Sequence, residues 1–130
     1  MNIPSTVAQP SPTPTERTIV VESASGSSEL SLAQHLKQIH AKIYTAYWCP
    51  HCHAQLSLFG LQASQQLERI ECDPEGKDAK PELCKAAEIK SYPTWIINGK
   101  HYEGTHSLND LADASGYKGP RKFKIQITFP

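Results

Sequence analysis

The segment Tyr47-Trp48-Cys49-Pro50-His51-Cys52 constrains this chain more than any other. It follows a β-rich run, Lys42-Ile43-Tyr44-Thr45-Ala46-Tyr47, and precedes Leu56, Leu58, Phe59 and Leu61 at partly helical spacing. Pro50 suits the first turn of a helix, where its missing N–H costs nothing. The pattern predicts two cysteines on the first turn of a helix that begins where a strand ends. The thiolate is the nucleophile of disulfide exchange. A helix N-terminus, with unpaired N–H groups and about half a positive charge, favours such an anion. The spacing brings Cys52 round the turn to Cys49, so Cys49 is expected to attack and Cys52 to resolve.

A second feature stands far downstream, Ser91-Tyr92-Pro93-Thr94 ahead of Trp95-Ile96-Ile97. Asn98-Gly99 follows, a strong signal for a tight hairpin, with Lys100-His101-Tyr102 as the returning strand. Upstream, Ser28 or Ser31 is placed to cap a helix through Leu30, Leu32, Leu36 and Ile39. The helix after Pro50 is expected to run to about residue 66, with Gly60 inside it at a cost of about 1 kcal/mol relative to Ala. Residues 67–72 alternate as a half-buried strand. Asp73-Pro74-Glu75-Gly76 forms a turn signal, and Pro81 starts a helix over Leu83, Cys84, Ala86, Ala87 and Ile89. A last helix, Ser107 to Ala114, stops at Gly116, with Leu108 and Leu111 toward the sheet.

This order of elements is that of an α/β thioredoxin fold, a mixed central sheet flanked by helices. In that fold a cis-proline precedes the third strand and faces the disulfide, the position held here by Pro93. Trp48, Tyr92, Pro93 and Thr94 are the expected substrate-binding residues. Both Trp48 and Trp95 are expected to flank the disulfide rather than sit in the core. Pro50 and His51 are expected to tune the potential, because a partly positive imidazole near Cys49 stabilises the thiolate and hence the reduced form.

With 130 residues the chain suits one domain with a real core. Residues 1–28 hold Pro4, Pro10, Pro12, Pro14 and a serine cluster, and bury too little to offset their ordering entropy. They are expected to form a disordered leader or linker, in which Thr18-Ile19-Val20-Val21 has the composition of an edge strand. The thioredoxin-like domain is expected over 29–118, with a tail over 119–130. Arg121-Lys122-Phe123-Lys124, in that tail, is expected to be solvated. The net charge is zero, so nothing points to nucleic acid. No apolar run approaches the roughly 20 residues of a membrane span, and the N-terminus lacks the pattern of a signal peptide. A cytosolic monomer is the default expectation.

The stretch from Ile43 to Gly116 resembles two groups of proteins. Ile43-Tyr44-Thr45, the C-x-x-C and Ile97-Asn98-Gly99-Lys100 look like glutaredoxin. Trp48 to His53, Glu71 to Gly76, Cys84, Ser91 to Gly99 and Ala114 to Tyr117 resemble, as a set, the thioredoxin-like domain fused to bacterial and plastid vitamin K epoxide reductase homologues. The Pro50-His51 pair is similar to that of strongly oxidising periplasmic proteins. The resemblance implies a domain that passes oxidising equivalents from a quinone-linked membrane partner to cysteine-containing substrate proteins. It needs no cofactor beyond the Cys49–Cys52 disulfide. A periplasmic or thylakoid-lumen location goes with that reading, and a cytosolic location with a thioredoxin-type reductase.

Two departures stand out. Thioredoxins carry a buried acid on the strand before the active site, and Lys42 to Trp48 holds none. Glutaredoxins hold glutathione with a Gly-Gly-x-Asp pattern, and Glu103-Gly104-Thr105-His106 argues against that site here. Cys72 and Cys84 are open to three roles: a structural disulfide, a redox relay, or two thiols. A bridge between them closes a loop of about 13 residues and contributes about 3 kcal/mol in a chain-entropy account. Competing functions are a zinc module built on Cys49, His51, Cys52, His53, Cys72 and Cys84, and a binding module with vestigial cysteines. His35, His40 and His101 are expected in solvent, and His53 is given no role.

Overall fold

A computed structural model describes residues 17–126. Its elements are α1 (Ser27–Gln38), β1 (Lys42–Thr45), α2 (Pro50–Phe59), α3 (Leu61–Ser64), β2 (Glu68–Glu71), α4 (Pro81–Ala86), β3 (Thr94–Ile97), β4 (Lys100–Glu103) and α5 (Leu108–Ser115). The four strands form one mixed sheet in the order β2-β1-β3-β4. β1 pairs parallel with β2 and antiparallel with β3, and β3 pairs antiparallel with β4. The parallel pair needs a crossover, which α2 and α3 supply. The β3–β4 hairpin turns on Asn98 and Gly99, both at positive φ, as a tight hairpin demands. This is the α/β thioredoxin fold.

Alternation along the strands divides the apolar side chains between two faces. Ile43, Trp95 and Ile97 join Leu32, Leu36, Phe59, Leu108 and Leu111 in the large core under the helices. Tyr44, Ile70 and Ile96 pack on the other side with Cys72, Cys84, Ala87 and Ile89, against α4. Trp95 is fully buried. It pairs with Ile43 of β1, so the register turns it into the large core. This corrects the expectation that it flanks the disulfide. A side chain of that size contributes about 1.5–3 kcal/mol or more when fully buried.

Gly60 divides the expected long helix. At φ +86° it ends α2 and starts α3. A β-carbon there would lie 2.7–2.9 Å from Oγ, Cα and N of Ser25. Glycine therefore stands where the chain turns and where the leader crosses it. α1 carries no side-chain cap. Gly26 is the N-cap, and buried Ser28 spends its Oγ on the Lys122 N–H at 2.9 Å.

Both flanking segments pack more than their composition suggests. Residues 1–16 of the expected leader and 127–130 of the expected tail lie outside the described residues. From Arg17 to Gly26 the leader runs against the domain, with Val21 in the large core. This corrects, over those residues, the expectation of free chain up to 28. Thr18–Val21 joins no strand of the sheet. The tail returns to α1, where Phe123 is buried in the large core and the Lys124 N–H donates to Glu29 Oε2 at 2.7 Å. Arg121 pairs with Asp113 at 2.8 Å. Phe123 is therefore docked and Arg121 half-buried, against expectation, while Lys122 and Lys124 are exposed as expected. His35 is half-buried and meets both the Ser115 carbonyl and the Tyr117 ring, which corrects its expected place in solvent.

Candidate active site

β1 delivers the chain through Ala46, Tyr47 and Trp48 to Cys49, the N-cap of α2. Cys49 is extended, and its Sγ accepts the Cys52 N–H at 3.1 Å. Sulfur thus occupies the place that a Ser or Asp oxygen fills at an ordinary helix start. Pro50 opens the helix. On its other side the Cys49 thiol donates to the Tyr92 carbonyl at 3.6 Å. The Tyr92–Pro93 bond is cis. Cys49 is 4% exposed and Cys52 has no exposed surface, so of the two only Cys49 keeps any accessible surface. Burial pushes the Cys52 thiol well above the usual thiol range, and its hydrogen bond with Cys49 adds to this.

Trp48 stands at the rim, 57% exposed. Its indole N–H donates to Asp73 Oδ2 at 2.7 Å, and its ring meets Tyr92 edge-on at 6.1 Å. His51 and Pro50 are exposed. His51 borders a cleft with Tyr92, Gly104, Thr105 and His106. Thr94 is buried, and its Oγ1 donates to the Ser91 carbonyl at 2.8 Å, bracing the turn that carries Pro93. Cys72 and Cys84 form a disulfide with their Cα atoms 5.8 Å apart. It ties the end of β2 to α4.

The acid absent from β1 comes from β2. Glu71 is 3% exposed. Its Oε2 accepts the N–H groups of Tyr47 at 3.1 Å and Asp73 at 3.0 Å, and Arg69 approaches Oε1 at 3.4 Å. Burial raises its pKa, against the pull of these partners. Its charge in turn weighs against ionising Cys52. Gly76 backs the carboxyl, since a β-carbon there would lie 2.5 Å from Glu71 Cγ. Periodicity alone made Glu71 one position of a half-buried strand. Only the parallel β1–β2 register sets it beside the C-x-x-C.

Gln55 is a second residue that motif reasoning passes over. It is fully buried on α2. Its Oε1 accepts the Trp95 indole N–H at 3.1 Å and the His106 N–H at 2.8 Å, and its Nε2 donates to the His106 carbonyl at 2.9 Å. It fixes the 104–107 loop to the helix that carries the cysteines. The available signal was an amide on the face otherwise held by Leu56 and Phe59.

No protein-family model matches the chain. A curated relative, "Thiol-disulfide oxidoreductase LTO1" of Arabidopsis thaliana, is 40% identical over 100 residues, which is 75% of this chain and 27% of that protein. The chain therefore spans about a quarter of the length of the relative it matches. Together with the sheet order, this likeness supports a thioredoxin-like domain in this chain.

Proposed function

We propose that this chain is a thiol–disulfide oxidoreductase acting on cysteines of other proteins. One observation carries the reading: Cys49 sulfur, held by the Cys52 N–H, lies against the carbonyl that precedes Pro93, with Cys52 closed off behind it. In the oxidised domain a substrate thiolate attacks Cys49 Sγ. The substrate–Cys49 bond forms, the Cys49–Cys52 bond breaks, and Cys52 leaves and takes up a proton. A second substrate thiolate then attacks the substrate sulfur and releases Cys49 as thiolate. Two substrate thiols are oxidised to a disulfide, and the domain is reduced to a dithiol. Run backward, the same steps reduce a disulfide. Trp48 and the Tyr92–Pro93 backbone are the surface on which the substrate chain would rest.

The motif resemblance to domains fused to vitamin K epoxide reductase homologues supports a finer reading. A quinone-linked membrane partner would re-oxidise Cys49–Cys52, and His51 would hold the potential in the oxidising half of the superfamily range. Among the described residues no helix is long and apolar enough to cross a membrane, so such a partner would be a separate domain or chain. The competing zinc module loses two ligands to the Cys72–Cys84 bond, and no three His, Cys, Asp or Glu among the described residues converge on a metal position.

A redox titration in glutathione buffers, quenched by alkylation and read by peptide mass spectrometry, tests this. A potential for Cys49–Cys52 near about −200 mV or above supports a disulfide-forming domain, and one near about −270 mV supports a thioredoxin-type reductase. A pair that never exchanges with glutathione overturns both. His51→Pro should lower the potential.

A further inference from the structure

We propose that the leader segment Arg17–Ser25 is part of the redox site, with Ile19 as its seal: this side chain closes the Ala46–Cys49–Cys52 cluster against water, so that Cys52 meets only Cys49.

The segment is tied down along its length. The Arg17 carbonyl accepts the Lys77 N–H at 3.0 Å, and the Arg17 guanidinium pairs with Glu75 at 2.9 Å. Thr18 Oγ1 accepts from Arg69 Nη2 at 2.9 Å. The Val20 carbonyl meets His53 Nε2 at 3.0 Å. A carbonyl can only accept, so His53 carries its proton on Nε2. Further on, the Ser23 carbonyl accepts the Leu61 N–H at 2.7 Å, and Ser25 Oγ accepts the Ala63 N–H at 2.8 Å.

Ile19 sits between two of these anchors, and each leads to the site. Arg69 also contacts Glu71, and His53 follows Cys52 on α2. Exposure alternates along the segment as in an extended chain: Ile19 is half-buried, Val20 is 60% exposed and Val21 is 5% exposed. Ile19 packs against the cluster of Ala46, Cys49 and Cys52 as well as the large core. This accounts for a β-branched run inside a Pro- and Ser-rich leader, where nothing in the sheet pairs with it. It also gives His53 a part, as the anchor on the active-site helix.

The function of such a seal rests on the exchange reading above. A resolving thiol open to solvent would form adducts with small disulfides. A sealed one is reached only by the sulfur next to it. The burial that holds Cys52 in its thiol form then comes partly from the leader. Ile19 acts through Cys52 and is a positioning residue.

The test uses the full chain carrying Cys49→Ser, with Cys72–Cys84 intact, so that Cys52 is the one thiol left for iodoacetamide. Ile19→Ala should raise its labelling rate about tenfold, since truncating a packed side chain opens the site locally. Ile19→Leu should restore the parent rate. Val20→Ala, on the exposed side, should leave it unchanged. Ile19→Val should give a smaller rise, and it decides the matter where Ile19→Ala does not fold. A rate in Ile19→Ala and Ile19→Val equal to the parent overturns the proposal, as does an equal rise with Val20→Ala. Labelling reports access to Cys52 whether or not the chain turns over protein disulfides. The exchange reading fails separately, when Cys49–Cys52 does not equilibrate with glutathione.

Discussion

Glu71 Oε2 accepts the backbone N–H of Tyr47 at 3.1 Å, which ties a buried carboxyl on β2 to the chain two residues before Cys49. Because burial raises its pKa, Glu71 favours the folded state in its neutral form. That contribution is complete below its ordinary value of 4.5. It is lost as pH rises through the raised folded value. Replacing Glu71 with Gln removes this titration. Relative to the parent, Glu71→Gln should gain stability as pH rises from about 4 to about 8. Urea unfolding at both pH values measures it, and a difference independent of pH would refute it.

The two cysteines of the C-x-x-C should separate by behaviour. Cys49→Ser should abolish exchange with a protein disulfide. Cys52→Ser should accumulate a mixed disulfide between Cys49 and substrate, visible on a non-reducing gel. Full activity in Cys49→Ser, or a consistent lack of adducts in Cys52→Ser, would count against their assigned roles.

Gln55→Leu keeps roughly the volume but leaves the Trp95 indole N–H and both backbone groups of His106 without their partner. Each buried group so abandoned costs about 1–3 kcal/mol. The variant should lose more than about 2 kcal/mol in denaturant titration. Retention of parent stability would mean that the 104–107 loop does not depend on this amide.

Gly60→Ala should destabilise by about 1–3 kcal/mol, because φ is positive there and the new methyl meets the Ser25 backbone. Equilibrium unfolding would show it. The cost should be smaller in a chain shortened to begin after Ser25, where only the backbone strain remains.

Converting Cys72 and Cys84 together to alanine should cost about 3 kcal/mol while leaving exchange at Cys49 in place. Loss of exchange in a folded double variant would assign the pair to a relay.

Local signals carried much of the fold. Cys49 and Pro50 mark a helix start, Asn98-Gly99 a hairpin, and Ser107 and Gly116 the two ends of α5. These are near-neighbour effects, and the structure places each where the sequence does. What the sequence concealed depends on distant partners. Trp95 is a core residue because β3 pairs antiparallel with β1. Gly60 breaks a helix because Ser25 crosses it. Ile19 and Phe123 are fixed by contacts that no composition rule for Pro- or Lys-rich ends anticipates. Glu71 joins the candidate active site through the pairing of β1 with β2.

Tyr92 packs against both sulfur-bearing clusters, that of Cys49 and Cys52 and that of Cys72 and Cys84. One aromatic ring therefore stands between the free thiols of the C-x-x-C and the bond that welds α4 to β2. With the ring between them the two pairs of sulfurs belong to separate clusters, so the exchange proposed for Cys49 and Cys52 would leave the bond that fastens α4 in place.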